Sequence, residues 1–127
     1  MNAGTIPSGQ LACLLHDAAA GMLADMAAVD LICRHGRFLG DPAFRRIIAA
    51  GSSSITTGQP LAVIRWNAAV HALQTGHLPC SGSEQAILKI AASLAGPGIA
   101  ISLRDCLGNL DQRNITLVTD AITAANG

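Results

Sequence analysis

The feature of this sequence that most constrains its fold is a series of helix-capping residues, each followed a few helical turns later by a glycine. Asp, Asn and Ser at a helix N-terminus accept hydrogen bonds from backbone N–H groups that have no partner inside the helix. Glycine commonly ends a helix because it readily adopts the left-handed conformation. This pattern predicts a mainly or wholly α-helical fold, a compact orthogonal bundle of six or seven short helices. The caps are Asp25, Asp41, Asn67, Ser81, Ser102 and Asp111.

Apolar residues at helical spacing place the helices between these signals. The clearest local signal is a capping box, in which Ser81 is followed three residues later by Glu84. The predicted helices span residues 9–20, 25–36, 42–51, 68–74, 81–96, 102–107 and 111–127. The inward side of the last helix is expected to consist of Ile115, Val118, Ala121, Ile122 and Ala125.

Two short segments are candidates for β-strands. Residues 61–66 have β-branched residues at their centre and are bounded by Pro60 and Asn67, as is typical of a strand. Residues 99–101 are the second candidate, so the bundle is expected to carry at most one minor two-stranded element. Residues 52–60 are predicted to form a loop. The chain is therefore expected to be a single helical domain over 9–127, after a flexible N-terminal lead-in over 1–8.

The chain length and its apolar segments bear on its class. A chain of 127 residues fits one domain that buries about two-thirds of its unfolded surface. The most apolar stretch, 11–32, is interrupted by His and Asp residues, so it is not expected to span a membrane. The N-terminus lacks the basic residues of a secretory signal. The four cysteines are widely spaced, which predicts reduced thiols and a cytoplasmic setting.

The charge balance bears on partners. Eight basic and eight acidic residues give a net charge of zero. This balance disfavours nucleic acid and anionic membranes as partners. Half of the residues are hydrophobic (50%), and a surface rich in Ala and Leu is expected to be covered by self-association or by a protein partner.

Three segments together resemble a known group of proteins. They are residues 61–70 (LAVIRWNAAV), 78–84 (LPCSGSE) and 108–114 (GNLDQRN). The chain is similar to small uncharacterised actinobacterial proteins that share an IRWxAA stretch and an SxSE…LxIAASLA helix. The resemblance covers most of the chain after Asp17, with a minor departure at Asn109. It implies an actinobacterial source and a cytoplasmic setting, but it transfers no activity and no site residues.

The C-terminal segment 102–126 has the pattern of a helix-turn-helix. A short capped helix, a turn at Gly108 and a second capped helix follow one another, as in DNA-reading modules. The second helix begins with Gln112, Arg113 and Asn114, which are residue types that contact bases and phosphates. Because Asp111 and Asp120 flank them and no lysine follows, two packed core helices are the favoured interpretation.

Cys80 is the candidate nucleophile of a thiol-dependent enzyme. It lies just before the capping-box helix, where the helix dipole stabilises a thiolate. His77 lies three residues upstream, and a Cys–His pair is a common way to activate a thiol. The sequence indicates neither an orienting carboxylate nor an oxyanion hole, so a structural cysteine is the favoured interpretation.

Three close Cys/His pairs bear on metal binding: Cys13 with His16, Cys33 with His35, and His77 with Cys80. Structural zinc normally requires paired ligands such as Cys-x₂₋₄-Cys, and none of these pairs is of that kind. Cys13 and His16 lie one helical turn apart, whereas Cys33 and His35 point in different directions on a helix. No metal and no cofactor are therefore expected.

The remaining candidates are a basic cluster and a tryptophan. Arg34, Arg37, Arg45 and Arg46 would form a patch for an anion or an acidic partner, although a solvated face is the more common outcome. Trp66 is the only tryptophan and a candidate interface anchor, with the filling of the core at the end of its strand as an equal alternative. Together these observations favour a non-enzymatic protein-interaction or regulatory module. A DNA-binding regulator and a thiol-dependent enzyme using Cys80 are the alternatives.

Overall fold

The computed structural model describes residues 2–52 and 60–127 and confirms a mainly α-helical fold. The described residues form seven α-helices and a two-stranded antiparallel sheet, with short 3₁₀ turns at Ala3–Thr5 and Phe38–Gly40. The elements are α1 (Ser8–Ala19), α2 (Leu23–His35), α3 (Pro42–Arg45), β1 (Ile48–Ser52), β2 (Pro60–Ile64), α4 (Trp66–Thr75), α5 (Gly82–Ala95), α6 (Leu103–Leu107) and α7 (Gln112–Asn126).

The core is built around α2, which packs most extensively against α7 and α5 and also contacts α1. Ala28 and Ile32 of α2 are fully buried. Small and branched side chains of this kind are suited to places where helices approach closely. Phe38 and Phe44 are also fully buried, and their rings are 5.1 Å apart. A single apolar core therefore joins the helices to the inner face of the sheet.

Four of the six predicted caps are confirmed. The Asp41 side chain accepts a hydrogen bond from Ala43 N, and Ser102 and Asp111 cap α6 and α7 in the same way. The capping box at Ser81 is complete. The expected caps at Asp25 and Asn67 are wrong, because both residues lie inside the first turns of their helices. The turn at Gly21, with φ +90°, lets α2 begin earlier, and α4 begins directly after β2 without a side-chain cap.

The helix predicted over 42–51 is wrong beyond its first turn. It ends at Arg45, and residues 48–52 form β1 instead. The reason is tertiary pairing, because Ile48 lies opposite Ile64 and supplies the partner that β2 needs. The predicted second strand at 99–101 does not form. Most of the predicted loop, residues 53–59, lies outside the described residues.

The described residues of the N-terminal lead-in pack against the rest of the protein. Ala3 and Ile6 are buried in the core. The Arg45 guanidinium donates hydrogen bonds to the carbonyl oxygens of both residues and to Ser8 Oγ. Apolar burial and a shared guanidinium therefore hold these residues against α3.

The inward side of α7 differs from the predicted one. Val118 and Ala121 are buried as expected, but their buried companions are Asn114 and Leu117. Ile122 is 49% exposed and Ile115 is only partly buried. The most extensive contact of α7 is with α2. Within the described ranges, no helix combines the length and the apolar character needed to cross a membrane.

Candidate functional site

An apolar groove lies between the turn that joins α1 to α2 and strand β2. Its volume is about 150 Å³. A space of this size accepts one apolar side chain of a partner. Met22, Val63 and Trp66 are at its walls, and buried residues such as Val29 form its floor. Asp25 is the one charged side chain in its lining.

The outward face of the sheet continues this apolar surface. Along β2 the side chains alternate, so Ala62 and Ile64 point into the core while Leu61 and Val63 are 40% and 52% exposed. Ala49 lies opposite Val63 on β1. Neither strand contains a charged residue. We call the groove and this outward face together the apolar patch.

Trp66 is the one sequence candidate that belongs to the patch. It is the first residue of α4, is half-buried, and packs against the core while lining the groove. Sequence reasoning missed Met22, Asp25 and Val63 as site residues. The alternation along β2 would have identified Val63 as outward-facing, but only the tertiary structure brings Met22 to it.

The predicted basic patch is not a free cationic surface. Arg37 forms ion pairs with Asp41 and Glu84, each at 2.7 Å, and also donates to the Pro79 carbonyl oxygen. Arg45 is occupied by backbone carbonyl groups, as described above.

The two other arginines of the cluster differ from each other. Arg34 lies 3.2 Å from Asp120 and 3.7 Å from Asp30. Arg46 is exposed and forms no ion pair with the described residues. Of the four predicted arginines, it alone keeps a side chain that is free for a partner.

Cys80 does not have the environment of an activated thiol. Burial raises its pKa, and the nearby Arg37 guanidinium offsets this only in part. His77 is exposed, and its Nδ1 lies 2.7 Å from the Thr75 hydroxyl oxygen, which occupies the nitrogen on that side. The thiol is held beside the start of α5, where the Gln85 side chain donates to the Cys80 carbonyl oxygen. A structural role explains each of these contacts.

The start of α7 does not present the three residues proposed for DNA. Asn114 is 5% exposed, and Arg113 donates hydrogen bonds to the carbonyl oxygens of Arg34 and His35. Only Gln112 is left facing solvent without such a contact in the described part of the chain. Arg113 thereby connects α7 to the C-terminal end of α2, and Asn114 lies in the interior.

The cysteine and histidine pairs do not assemble a metal centre. No group of three or more candidate ligands comes together among residues 2–52 and 60–127. His16 Nδ1 lies 2.8 Å from the Ala12 carbonyl oxygen, and its Nε2 lies 3.7 Å from Asp30. Burial, together with the nearby Asp30 carboxylate and the Cys13 thiol, raises the pKa of Cys33 to about 11. A thiol in that state is a poor metal ligand at neutral pH.

His35 makes the stability of the fold depend on pH. Burial and the neighbouring Arg113 lower its pKa below the ordinary value of 6.5, and its ring lies against Phe38. The folded state therefore binds this proton less readily than the unfolded chain does. Stability from this group is present above pH 6.5 and is lost as the pH falls from 6.5 toward the lowered folded pKa.

We expect urea unfolding at a series of pH values to show this loss. The His35→Gln variant should lose less stability than the wild type over that interval. A hydrogen bond from the Ser81 backbone is the main cause of the lowered pKa of Glu84. Protonation of this carboxylate should therefore lower the stability of both proteins below pH 4.5. Equal slopes for the two proteins between pH 6.5 and 4.5 would contradict the assignment to His35.

Comparison of the chain with known protein families, with curated proteins and with solved structures finds no match. Similarity therefore supplies neither a family nor a function. The resemblance to the actinobacterial group stays an expectation from the sequence.

Proposed function

We propose that the protein is a non-enzymatic interaction module, and that its partner is a second copy of this chain docked through the apolar patch. The observation that carries this proposal is the outward face of the sheet, where Leu61 and Val63 are exposed on a strand without charge. Monomeric soluble proteins seldom leave a contiguous apolar surface uncovered beside a preformed groove.

A second copy suits this surface because of symmetry. In a two-fold dimer the same patch meets itself, so any charge near the axis faces a like charge in the other copy. The strands β1 and β2 carry no charge, and the net charge of the chain is zero. Neither local nor overall repulsion therefore opposes the pairing of two copies. The groove then receives an apolar side chain of the opposing sheet.

The charges around the patch are complementary. Asp25 lines the groove, and neither it nor the exposed Arg46 forms an ion pair with a described residue. Arg46 lies at the end of the sheet near Trp66, where Arg65 donates to its carbonyl oxygen at 2.7 Å. In the proposed dimer, Asp25 of one copy faces Arg46 of the other. Because of the two-fold symmetry, this ion pair occurs twice in the interface.

Sedimentation equilibrium over a range of protein concentrations tests the proposal. We expect the wild type to be a dimer in the micromolar range and the Val63→Asp variant to be a monomer throughout. Ile122→Asp is the matched control, since Ile122 is 49% exposed and Val63 is 52% exposed, but Ile122 lies on α7 outside the patch. A monomeric wild type, or equal weakening by the two substitutions, would overturn the proposal.

Charge reversal tests the orientation of the two copies. Asp25→Arg and Arg46→Asp should each weaken the dimer, because each places like charges together. The double variant should recover most of the wild-type affinity, since the pair is restored with its signs exchanged. Recovery in the double variant is expected only if the two residues face each other across the interface. Simple addition of the two losses would contradict this orientation.

A further inference from the structure

A cleft of about 310 Å³ lies between α4, α5 and the segment that contains α6. It shares no lining residue with the groove of the apolar patch. Its walls combine apolar side chains, such as Val70 and Ile101, with polar ones, such as Ser102 and Asn109. The volume of the cleft is at the low end of the range for small-molecule sites. Together with the mixed lining, it indicates a small amphiphilic ligand.

Two opposite charges line the cleft without neutralising each other. Lys89 is the only lysine of the chain, and it lies on α5. Asp105 lies on the other wall, in α6. Neither side chain forms an ion pair with a described residue, and residues 53–59 contain no charged side chain. An ammonium and a carboxylate are therefore both available to a molecule in the cleft.

Cys106 is a buried residue of the cleft wall and the chain neighbour of Asp105. It is 4% exposed and contributes to the lining. Burial raises the pKa of its thiol, while the Lys89 ammonium lowers it and the Asp105 carboxylate raises it further. Both charged groups therefore lie within electrostatic range of one buried thiol.

We propose that this cleft binds a small zwitterion of the amino-acid class. The ligand carboxylate pairs with Lys89 and the ligand ammonium pairs with Asp105. The ligand side chain then lies against Val70 and Ile101. A ligand with one charge can pair with only one of the two side chains, whereas a zwitterion pairs with both. This site is independent of the proposed dimer interface.

The test is an NMR titration of the full chain with each proteinogenic amino acid in turn. At least one amino acid should give saturable shifts at the backbone amides of Lys89, Ile101 and Asp105. The wild type should prefer that amino acid over its carboxamide and over its N-acetyl derivative by about tenfold each, because each derivative lacks one charge-assisted contact.

Variants assign the two contacts. Lys89→Met and Lys89→Gln should both erase the preference over the carboxamide, and Asp105→Asn should erase the preference over the N-acetyl derivative. Arg104→Met is the control, since it removes one positive charge beside the cleft without touching the lining. The proposal is overturned if no amino acid shifts these signals. It is also overturned if the preference over the carboxamide survives in both Lys89 variants, or if Arg104→Met erases it equally.

Discussion

Replacement of Phe38 by alanine is expected to lower the free energy of unfolding by about 3–5 kcal/mol, the usual cost of removing a buried aromatic ring. Phe38 is fully buried, and its ring centroid lies 5.1 Å from that of Phe44 and 5.4 Å from that of His35. The chain has only two phenylalanines and no tyrosine, and Phe44 is itself already fully buried against this ring.

Urea denaturation of Phe38→Ala and Phe38→Leu measures this effect. Leucine restores much of the lost volume, so Phe38→Leu should lose clearly less stability than Phe38→Ala. A loss below about 1 kcal/mol for Phe38→Ala, the size of an average substitution, would mean that the ring is not the centre of the core.

Replacement of Arg37 by methionine is the second large effect that we expect. It would leave the Asp41 and Glu84 carboxylates without their cation and the Pro79 carbonyl group without its donor. The side chains of Arg37, Asp41 and Glu84 are 29%, 19% and 23% exposed. The free energy of unfolding should therefore fall by about 2 kcal/mol, a value between those for exposed and for fully buried ion pairs.

Arg34→Met is the control for this prediction. Arg34 also contacts two carboxylates, but its side chain is 45% exposed and its distances are 3.2 and 3.7 Å. We expect it to lose less than about 1 kcal/mol, since solvent screens such pairs. Equal losses for Arg34→Met and Arg37→Met in the same denaturation experiment would refute the special role given to Arg37.

The helices were largely predictable because their signals are local. A capping box at Ser81 or a cap at Asp41 acts within one helical turn, so the residues alone indicate where α5 and α3 begin. Strand β1 was not predictable, because Ile47 and Ile48 fit a helix as well as a strand. Only the pairing of Ile48 with Ile64, across the intervening chain, decides between them.

The candidate sites show the same limit. Trp66 was identified from the sequence because a lone tryptophan stands out, yet its groove requires the α1–α2 turn to pack beside β2. The roles of the individual arginines could not be predicted from the sequence for a related reason. The sequence does not show whether a guanidinium faces solvent or, as in Arg45, is occupied by backbone carbonyl groups.

The most direct test of the dimer uses the fluorescence of Trp66, the only tryptophan of the chain, which lies in the groove. On dilution of the wild type, its emission maximum should shift to longer wavelength as water enters the groove. The midpoint should coincide with that of dissociation measured by sedimentation. The Val63→Asp variant should show the long-wavelength emission at every concentration. An emission maximum that stays constant while the wild-type dimer dissociates would place the interface elsewhere and contradict docking through the apolar patch.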